Sequence, residues 1–126
     1  MPNRWTVPGG GIESSDYTQS EPRYLNDESP QWYGAVERAL RREIREEVGL
    51  KVGDLHYLLD VAFIRPDGTP EIVLSYYAEY QGGDVTLDDD ATEYAWVLST
   101  ELQAYDLISG IDYEISEVER RLKHAG

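Results

Sequence analysis

Apolar residues recur every four positions in the middle of the chain, at Val36, Leu40, Ile44 and Val48. This spacing is typical of an amphipathic helix with a narrow apolar face. Ser29 followed by Pro30 resembles a helix start, with a capping residue and then proline at the first helical position. Gly49 is suited to end the helix in a left-handed conformation. The pattern therefore predicts one long helix between Ser29 and Gly49.

Residues after this helix follow patterns typical of β structure. The stretches 55–64 and 71–80 flank the sequence RPDGTP, so we expect a hairpin with a Pro-Asp-Gly turn. The sequence YAWVLS, residues 94–99, predicts a short strand, and the following STELQAYDL predicts a short capped helix. Residues 112–124 predict a closing amphipathic helix with a basic last turn, which the helix dipole favours.

The segment before the central helix is polar and rich in turn residues. We expect residues 3–7 to be extended, the PGGG sequence to form a turn and residues 13–29 to form a loop. Because a single long helix separates this segment from a run of hairpins, the fold class is predicted to be mixed α/β (α+β). The length of 126 residues and the absence of repeats or linkers indicate one domain over residues 1–126.

Composition excludes several classes of function. The formal net charge of −14 disfavours nucleic acid and anionic lipid as partners. Because the chain has no cysteine, it cannot form disulfides, zinc–thiolate sites or thiol nucleophiles. No apolar stretch approaches the roughly 18 residues of a membrane helix, and the N-terminus lacks the apolar core of a secretory signal. These features favour a cytoplasmic protein, whose polyanionic ligands would need metal cations or local arginines.

Three carboxylates crowd into five positions of the central helix, at Glu43, Glu46 and Glu47. Like charges three and four residues apart repel each other on a helix. A bound Mg²⁺ or Mn²⁺ would relieve this repulsion, because both ions prefer hard oxygen ligands. A solvated acidic face is the common alternative for such a charge pattern. Spacing alone leaves both explanations open.

The surrounding sequence resembles a known signature. REIREEVGL, residues 42–50, matches the second half of the Nudix hydrolase signature, G-x5-E-x7-R-E-U-x-E-E-x-G-U with U apolar. WTVPGGGIE is similar to the extended segment and glycine turn that open the signature. EYAWVLSTEL is similar to a strand and short helix common late in Nudix domains. The resemblance implies an α/β/α sandwich with a mixed sheet.

Two departures from the Nudix pattern bear on function. With Gly10 as the first glycine, Asp16 falls at the first glutamate, and twenty-five residues precede Arg42 where the signature has seven. We therefore predict that 17–34 is an insertion loop leading into the helix start, which either shapes specificity as a lid or is a passive loop. The chain also begins just before Trp5, so the strands that usually precede it are expected to be missing. An uncovered sheet edge would favour a homodimer.

The resemblance implies hydrolysis of a diphosphate bond in a nucleoside diphosphate linked to another group, with Mg²⁺ or Mn²⁺ as cofactor. It assigns Glu46 and Glu47 as metal ligands, with the Gly9 carbonyl as a further one. Glu43 would bind the metal or position the attacking water, and Arg42 would orient the carboxylates. Asp16 is a weaker candidate ligand, since its match depends on where the insertion begins.

A further acid is expected from the sequence DDDATE, at one of Asp88, Asp89, Asp90 and Glu93. Glu93 is the first choice for a catalytic role because it directly precedes YAWV, although a solvated acidic loop is the alternative. Tyr76 and Tyr77 point to opposite faces of a strand, so one of them could stack on a nucleobase. Packing within the sheet is the alternative for both tyrosines.

The favoured substrate is a (deoxy)nucleoside triphosphate. ADP-ribose or another nucleotide sugar is the alternative substrate class. The short N-terminus and split signature leave a catalytically weak Nudix-like binding or regulatory domain as the rival from another functional class.

Overall fold

The computed structural model describes residues 4, 6–19, 21–25, 29–89 and 91–125. The helices and strands follow one another in this order: α1 (Ser15–Thr18), β1 (Arg23–Leu25), β2 (Ser29–Gln31), α2 (Ala35–Glu47), β3 (Lys51–Val52), β4 (His56–Ile64), β5 (Pro70–Tyr77), β6 (Tyr80–Gly82), a 3₁₀ helix (Ser99–Ala104) and α3 (Ile111–Ala125).

The chain divides into two compact units. The helix unit comprises residues 8–51 and 81–94, and contains α2. The hairpin unit comprises residues 1–7, 52–80 and 95–126, and contains β4, β5 and α3. All carboxylates that the sequence proposes for metal binding therefore belong to one unit.

The predicted central helix is present as α2. It ends as expected, because Gly49 has a left-handed φ of 69° and its N–H donates to the Ile44 carbonyl at 2.9 Å. The predicted start at Ser29 and Pro30 is wrong. Both residues lie in β2, where Pro30 pairs with Tyr24, a place that tolerates the missing proline N–H since this sheet has only two strands. The helix begins after Gly34 instead.

The loop predicted for residues 13–29, and the insertion loop predicted for 17–34, contain regular structure. The single turn α1 lies at the start of this segment, and β1 pairs antiparallel with β2 from Arg23 opposite Gln31 to Leu25 opposite Ser29. Such short elements carry little periodicity, and α1 is held against α2 by contacts distant in sequence. Local composition therefore could not predict them.

The predicted hairpin is confirmed in the hairpin unit. Strands β4 and β5 pair antiparallel from His56 opposite Tyr77 to Ile64 opposite Pro70. At the turn, Gly68 has a φ of 88°, and the Asp67 carboxylate accepts the Thr69 N–H at 2.9 Å. The predicted strand 71–80 is interrupted, because β5 ends at Tyr77 and residue 80 begins β6.

The core of the hairpin unit is small. Leu58 on β4, Leu102 in the 3₁₀ helix and Ile111 at the start of α3 are buried. The predicted C-terminal helix is confirmed as α3, whose Glu114 side chain hydrogen-bonds to Ser75 on β5. These contacts fix α3 against the hairpin.

The strand predicted for residues 94–99 is wrong. Residues 91–98 have no regular structure, and Trp96 is 61% exposed. No strand of the described part of the chain pairs with this segment. A short helix does follow it, as predicted, and the Glu101 carboxylate accepts the Leu98 N–H at 2.7 Å at its start.

The mixture of helices and strands confirms the α/β class. The described strands form sheets of two strands each in place of one mixed sheet. The segment 3–7 lies partly outside the described residues, and Arg4, Thr6 and Val7 have no regular structure. The turn predicted for PGGG appears as a bend at Pro8, and residues 9–11 have no regular structure; residues 8–11 are called the glycine turn below. None of the described helices combines the length and apolar character needed to cross a membrane.

Gly49→Ala should lower the free energy of unfolding by about 1 kcal/mol, because alanine is strained in the left-handed conformation that ends α2. Urea denaturation measures the effect. Gly11→Ala is the matched control, since Gly11 has no left-handed φ and an added β-carbon meets nothing within 4 Å. Equal losses in both variants would show that the left-handed position is not the cause.

Candidate active site

A buried ion pair lies at the centre of the helix unit. Arg42 on α2 donates from Nε to Asp16 Oδ1 at 2.7 Å and from Nη2 to Asp16 Oδ2 at 3.1 Å. Only 8% of Arg42 and 5% of Asp16 are exposed. The Glu13 N–H also donates to Asp16 Oδ2 at 2.7 Å. Both Asp16 oxygens are therefore occupied by protein donors, which disfavours the metal-binding role considered for this residue.

Arg42 links four further groups around this pair. Nη2 donates to the Gly11 carbonyl at 3.1 Å and lies 3.0 Å from Glu43 Oε1. Nη1 donates to Glu46 Oε2 at 3.1 Å and lies 3.6 Å from Glu13 Oε1. Its pKa lies above the ordinary arginine value, chiefly because of the hydrogen bond to Asp16. Arg42 thus stays charged and ties the glycine turn to the carboxylates of α2.

Glu43 packs directly over the backbone of the glycine turn. A β-carbon built on Gly10 would lie 2.4 Å from Glu43 Oε1 and 2.8 Å from its Cδ. Only 13% of the Glu43 side chain is exposed. Glycine at this position therefore allows the carboxylate to approach the turn closely.

Glu47 is held by the residue that precedes Gly10 in the glycine turn. The Gly9 N–H donates to Glu47 Oε2 at 2.8 Å. Burial is the main cause that raises the pKa of Glu47, and repulsion by Glu43 and Asp88 raises it further, while the Gly9 N–H acts in the opposite sense. Negative charge from Glu43, Glu47 and Asp88 is therefore concentrated at one place.

The structure separates the predicted site residues into groups. Glu43 and Glu47 are brought together with the glycine turn, whereas Glu46 is turned towards Arg42. In the acidic loop, Asp88 is the residue whose charge acts on Glu47; Glu93 is exposed, and residue 90 lies outside the described part. Sequence reasoning placed Asp88 in a candidate loop but ranked it below Glu93.

The predicted base-stacking tyrosines lie in the hairpin unit. The Tyr76 ring packs edge-on against Tyr57 with centroids 5.8 Å apart, and the Tyr77 ring lies 5.3 Å from that of His56. Both tyrosines thus have packing partners, and their role in substrate binding stays a prediction.

The carboxylates of the site are the ligand type that a divalent cation prefers, but their positions do not form a complete metal site. Among the residues that the structure describes, no three His, Asp or Glu side chains are grouped so as to hold a metal ion. Glu46 is engaged by Arg42, and Glu47 by the Gly9 N–H. Glu43 and Glu47 nevertheless form a close, partly buried pair of hard oxygen donors. Such a pair favours a cation like Mg²⁺ or Mn²⁺.

Comparison with known proteins identifies the family. The NUDIX domain family matches residues 1–117 of the chain. The chain belongs to the Nudix family. The resemblance to the Nudix signature at residues 42–50 is therefore confirmed, although the signature is interrupted in this chain.

Curated Nudix relatives point to nucleotide chemistry. The chain is similar to "Nucleoside triphosphatase NudI" of Klebsiella pneumoniae (strain 342), with 29% identity over 127 residues that cover 93% of this chain and 77% of that protein. It is also similar to proteins of the same name from Salmonella paratyphi B and Salmonella newport. Each is 31% identical over 117 residues, which cover 85% of this chain and 70% of that relative.

These findings establish the general activity. The protein is a Nudix-type pyrophosphohydrolase that acts on nucleotides, and Nudix hydrolases generally use divalent metal ions. The contacts of Glu43, Glu47 and Arg42 with the glycine turn lie within the matched region.

Gly10→Ala should lower kcat/KM for nucleotide hydrolysis by about tenfold or more, because the added methyl group displaces the Glu43 carboxylate. Steady-state kinetics with Mg²⁺ measures this change. Gly11→Ala is the matched control, since its added β-carbon meets nothing within 4 Å. Unchanged activity in Gly10→Ala, with both variants folded, would show that the Glu43 position is unimportant for catalysis.

Asp16→Asn should make the melting temperature depend less on pH in the acidic range. Hydrogen bonds from Arg42 and then Glu13 lower the pKa of Asp16 below its ordinary value of 3.8. A lowered pKa means that the ionised carboxylate stabilises the fold above pH 3.8 and that this contribution is lost as the pH falls through the lower native pKa. Thermal melting of both proteins between pH 2 and 7 measures the difference. Parallel pH profiles would contradict the assignment.

Proposed function

We propose that this Nudix enzyme hydrolyses (deoxy)nucleoside triphosphates to nucleoside monophosphates and pyrophosphate, with Mg²⁺ or Mn²⁺ as cofactor. The observation that carries the proposal is the pair Glu43 and Glu47, which the glycine turn holds together beside the charge of Asp88. The relatives named as nucleoside triphosphatases support this substrate class.

The carboxylates explain why such an acidic chain handles a polyanion. A protein of net charge −14 repels a triphosphate unless cations lie between them. Glu43 and Glu47 would hold the metal, with Glu46 and the Gly9 carbonyl as further ligands. When bound, the ion would neutralise phosphate charge and lower the pKa of a bound water molecule. Glu46 would first have to leave its hydrogen bond with Arg42.

The chain's own residues would position the reaction. Arg42 Nη2 lies 3.0 Å from Glu43 Oε1 and so orients this carboxylate. Burial, together with repulsion by Glu43 and Asp88, raises the pKa of Glu47, and the Gly9 N–H only partly offsets this effect, which supports a role as cation ligand. A further acid would position or deprotonate the attacking water. Asp88 has the charge interaction that supports this role, and Glu93 is the alternative from the same loop.

Other features of the proposal rest on the family and on composition. One of Tyr76 and Tyr77 would stack on the nucleobase. We also propose a cytoplasmic homodimer. Exposed apolar side chains on the β4–β5 hairpin, such as Ile64 at 67% and Ile72 at 72%, are consistent with a contact surface.

Glu47→Gln should reduce nucleotide hydrolysis on the order of a hundredfold or more, because an amide replaces a metal-binding carboxylate. A panel of nucleoside triphosphates, together with ADP-ribose, is assayed with Mg²⁺ for release of pyrophosphate, phosphate and nucleoside monophosphate. Pyrophosphate release supports the proposal. Phosphate release, or a preference for ADP-ribose, would overturn the assigned substrate and bond.

Glu37→Gln is the matched control on the same helix. Glu37 is exposed and bonds to Arg41 at 3.3 Å, away from the glycine turn. Melting in metal-free buffer excludes unfolding as the cause of lost activity. Because burial and repulsion raise the pKa of Glu47, its charge opposes folding at neutral pH, so Glu47→Gln should melt no lower than the unaltered protein. Equal loss of activity in both variants would contradict a specific role for Glu47.

A further inference from the structure

Arg38 has an unsatisfied guanidinium in the helix unit. Its Nε donates to the Asp16 carbonyl oxygen at 2.5 Å. Its Nη2 is buried and has no hydrogen-bond partner among the described residues. A buried N–H without an acceptor loses its hydration with no compensation, so it needs an explanation. A missing acceptor is the simplest one.

A negatively charged acceptor would suit the Arg38 guanidinium. Within the part of the chain that the structure describes, no carboxylate forms an ion pair with Arg38, although each of Arg41, Arg42 and Arg65 has one. The chain contains 25 Asp and Glu against 11 Lys and Arg, so an arginine left out of ion pairs is unexpected. A guanidinium fork recognises both carboxylate and phosphate oxyanions, and a nucleotide substrate supplies phosphate.

The position of Arg38 on α2 relates it to the candidate active site. Arg38 precedes Arg42 by four residues, so both side chains lie on the same face of the helix and contact Asp16. Glu43 lies five residues further on, which corresponds to about 7.5 Å along the helix axis. A phosphorylated substrate whose reacting phosphorus lies at Glu43 and Glu47 could therefore place another phosphate group near Arg38.

Arg38 lies at the N-terminal end of α2. The helix begins after Gly34 without a side-chain cap. The guanidinium lies so close to Gly34 that a β-carbon there would be 3.2 Å from Arg38 Nη1. The Arg38 residue as a whole is half-buried while its Nη2 is buried, so an anion from solvent would reach Nη2 only after a local shift of the side chain. The helix dipole adds a favourable field for negative charge.

We propose that Arg38 binds a phosphate group of the substrate nucleotide other than the one attacked. This assignment rests on the proposed function. It adds a specificity-determining residue in the first turn of α2, directly after the predicted insertion of residues 17–34. Arg38 thereby selects substrates by the number of their phosphates. It acts in binding and not on the reacting atoms.

Arg38→Gln should weaken the binding of inorganic tripolyphosphate by about tenfold, because it removes a charge-assisted hydrogen bond. Isothermal titration in buffer that contains Mg²⁺ measures this binding, because the ion offsets the repulsion between the acidic chain and the anion. Arg41→Gln is the matched control, since Arg41 lies on the same helix and pairs with Glu37. Arg38→Lys keeps the charge without the fork and should recover part of the affinity. Far-UV circular dichroism and melting check that each variant is folded.

Kinetics separate the possible results. With a nucleoside triphosphate and the diphosphate of the same base, Arg38→Gln should raise KM more for the triphosphate and leave kcat within about twofold. Unchanged tripolyphosphate affinity, or equal losses in the Arg38 and Arg41 variants, would overturn the role of Arg38. Absence of nucleotide hydrolysis by the unaltered protein would overturn the proposed function instead, and the titration would still report whether Arg38 binds the anion.

Discussion

The buried ion pair between Asp16 and Arg42 is the contact on which the rest of the helix unit depends. Its two hydrogen bonds join α1 to α2, and the remaining Arg42 donors reach the glycine turn and two glutamates. Burial of two charges costs desolvation energy, and the hydrogen bonds between Asp16 and Arg42 offset this cost. The main consequence of this pair is geometric, because the four hydrogen bonds of Arg42 hold Asp16, Gly11 and Glu46 in one arrangement.

This arrangement explains how a helix tolerates three clustered carboxylates. Arg42 compensates Glu46 and one oxygen of Glu43, and the Gly9 N–H compensates part of the Glu47 charge. The compensation is incomplete at Glu47, where burial and the charges of Glu43 and Asp88 act together. An enzyme that binds a metal needs such a residual negative potential, because complete neutralisation by arginine would remove the attraction for the cation. The repulsion on α2 is thus confined to the place where catalysis would use it.

The contact between Asp16 and Arg42 also closes the connection that contains the insertion. Residues between Asp16 and α2 lengthen the connection that the Nudix signature normally keeps short, yet Asp16 still reaches Arg42 across 26 positions. Loop length adds little entropic cost, so one strong contact can close a long connection as well as a short one. Arg38 adds a second contact between α2 and Asp16, through the Asp16 carbonyl oxygen. The β1–β2 pair lies in the chain between α1 and α2, which the contacts of Asp16 with Arg38 and Arg42 hold together.

Sequence alone determined the features that depend on local pattern. The fourfold spacing from Val36 to Val48 predicted α2, Gly49 predicted its end, and the Pro-Asp-Gly turn predicted the β4–β5 hairpin. The clustered glutamates and the signature around them predicted the family. Tertiary structure alone decided that Ser29 and Pro30 belong to a strand, that residues 94–99 do not, and that Asp88 of the acidic loop acts on Glu47. These outcomes depend on contacts between residues far apart in the chain, and no local periodicity encodes such contacts.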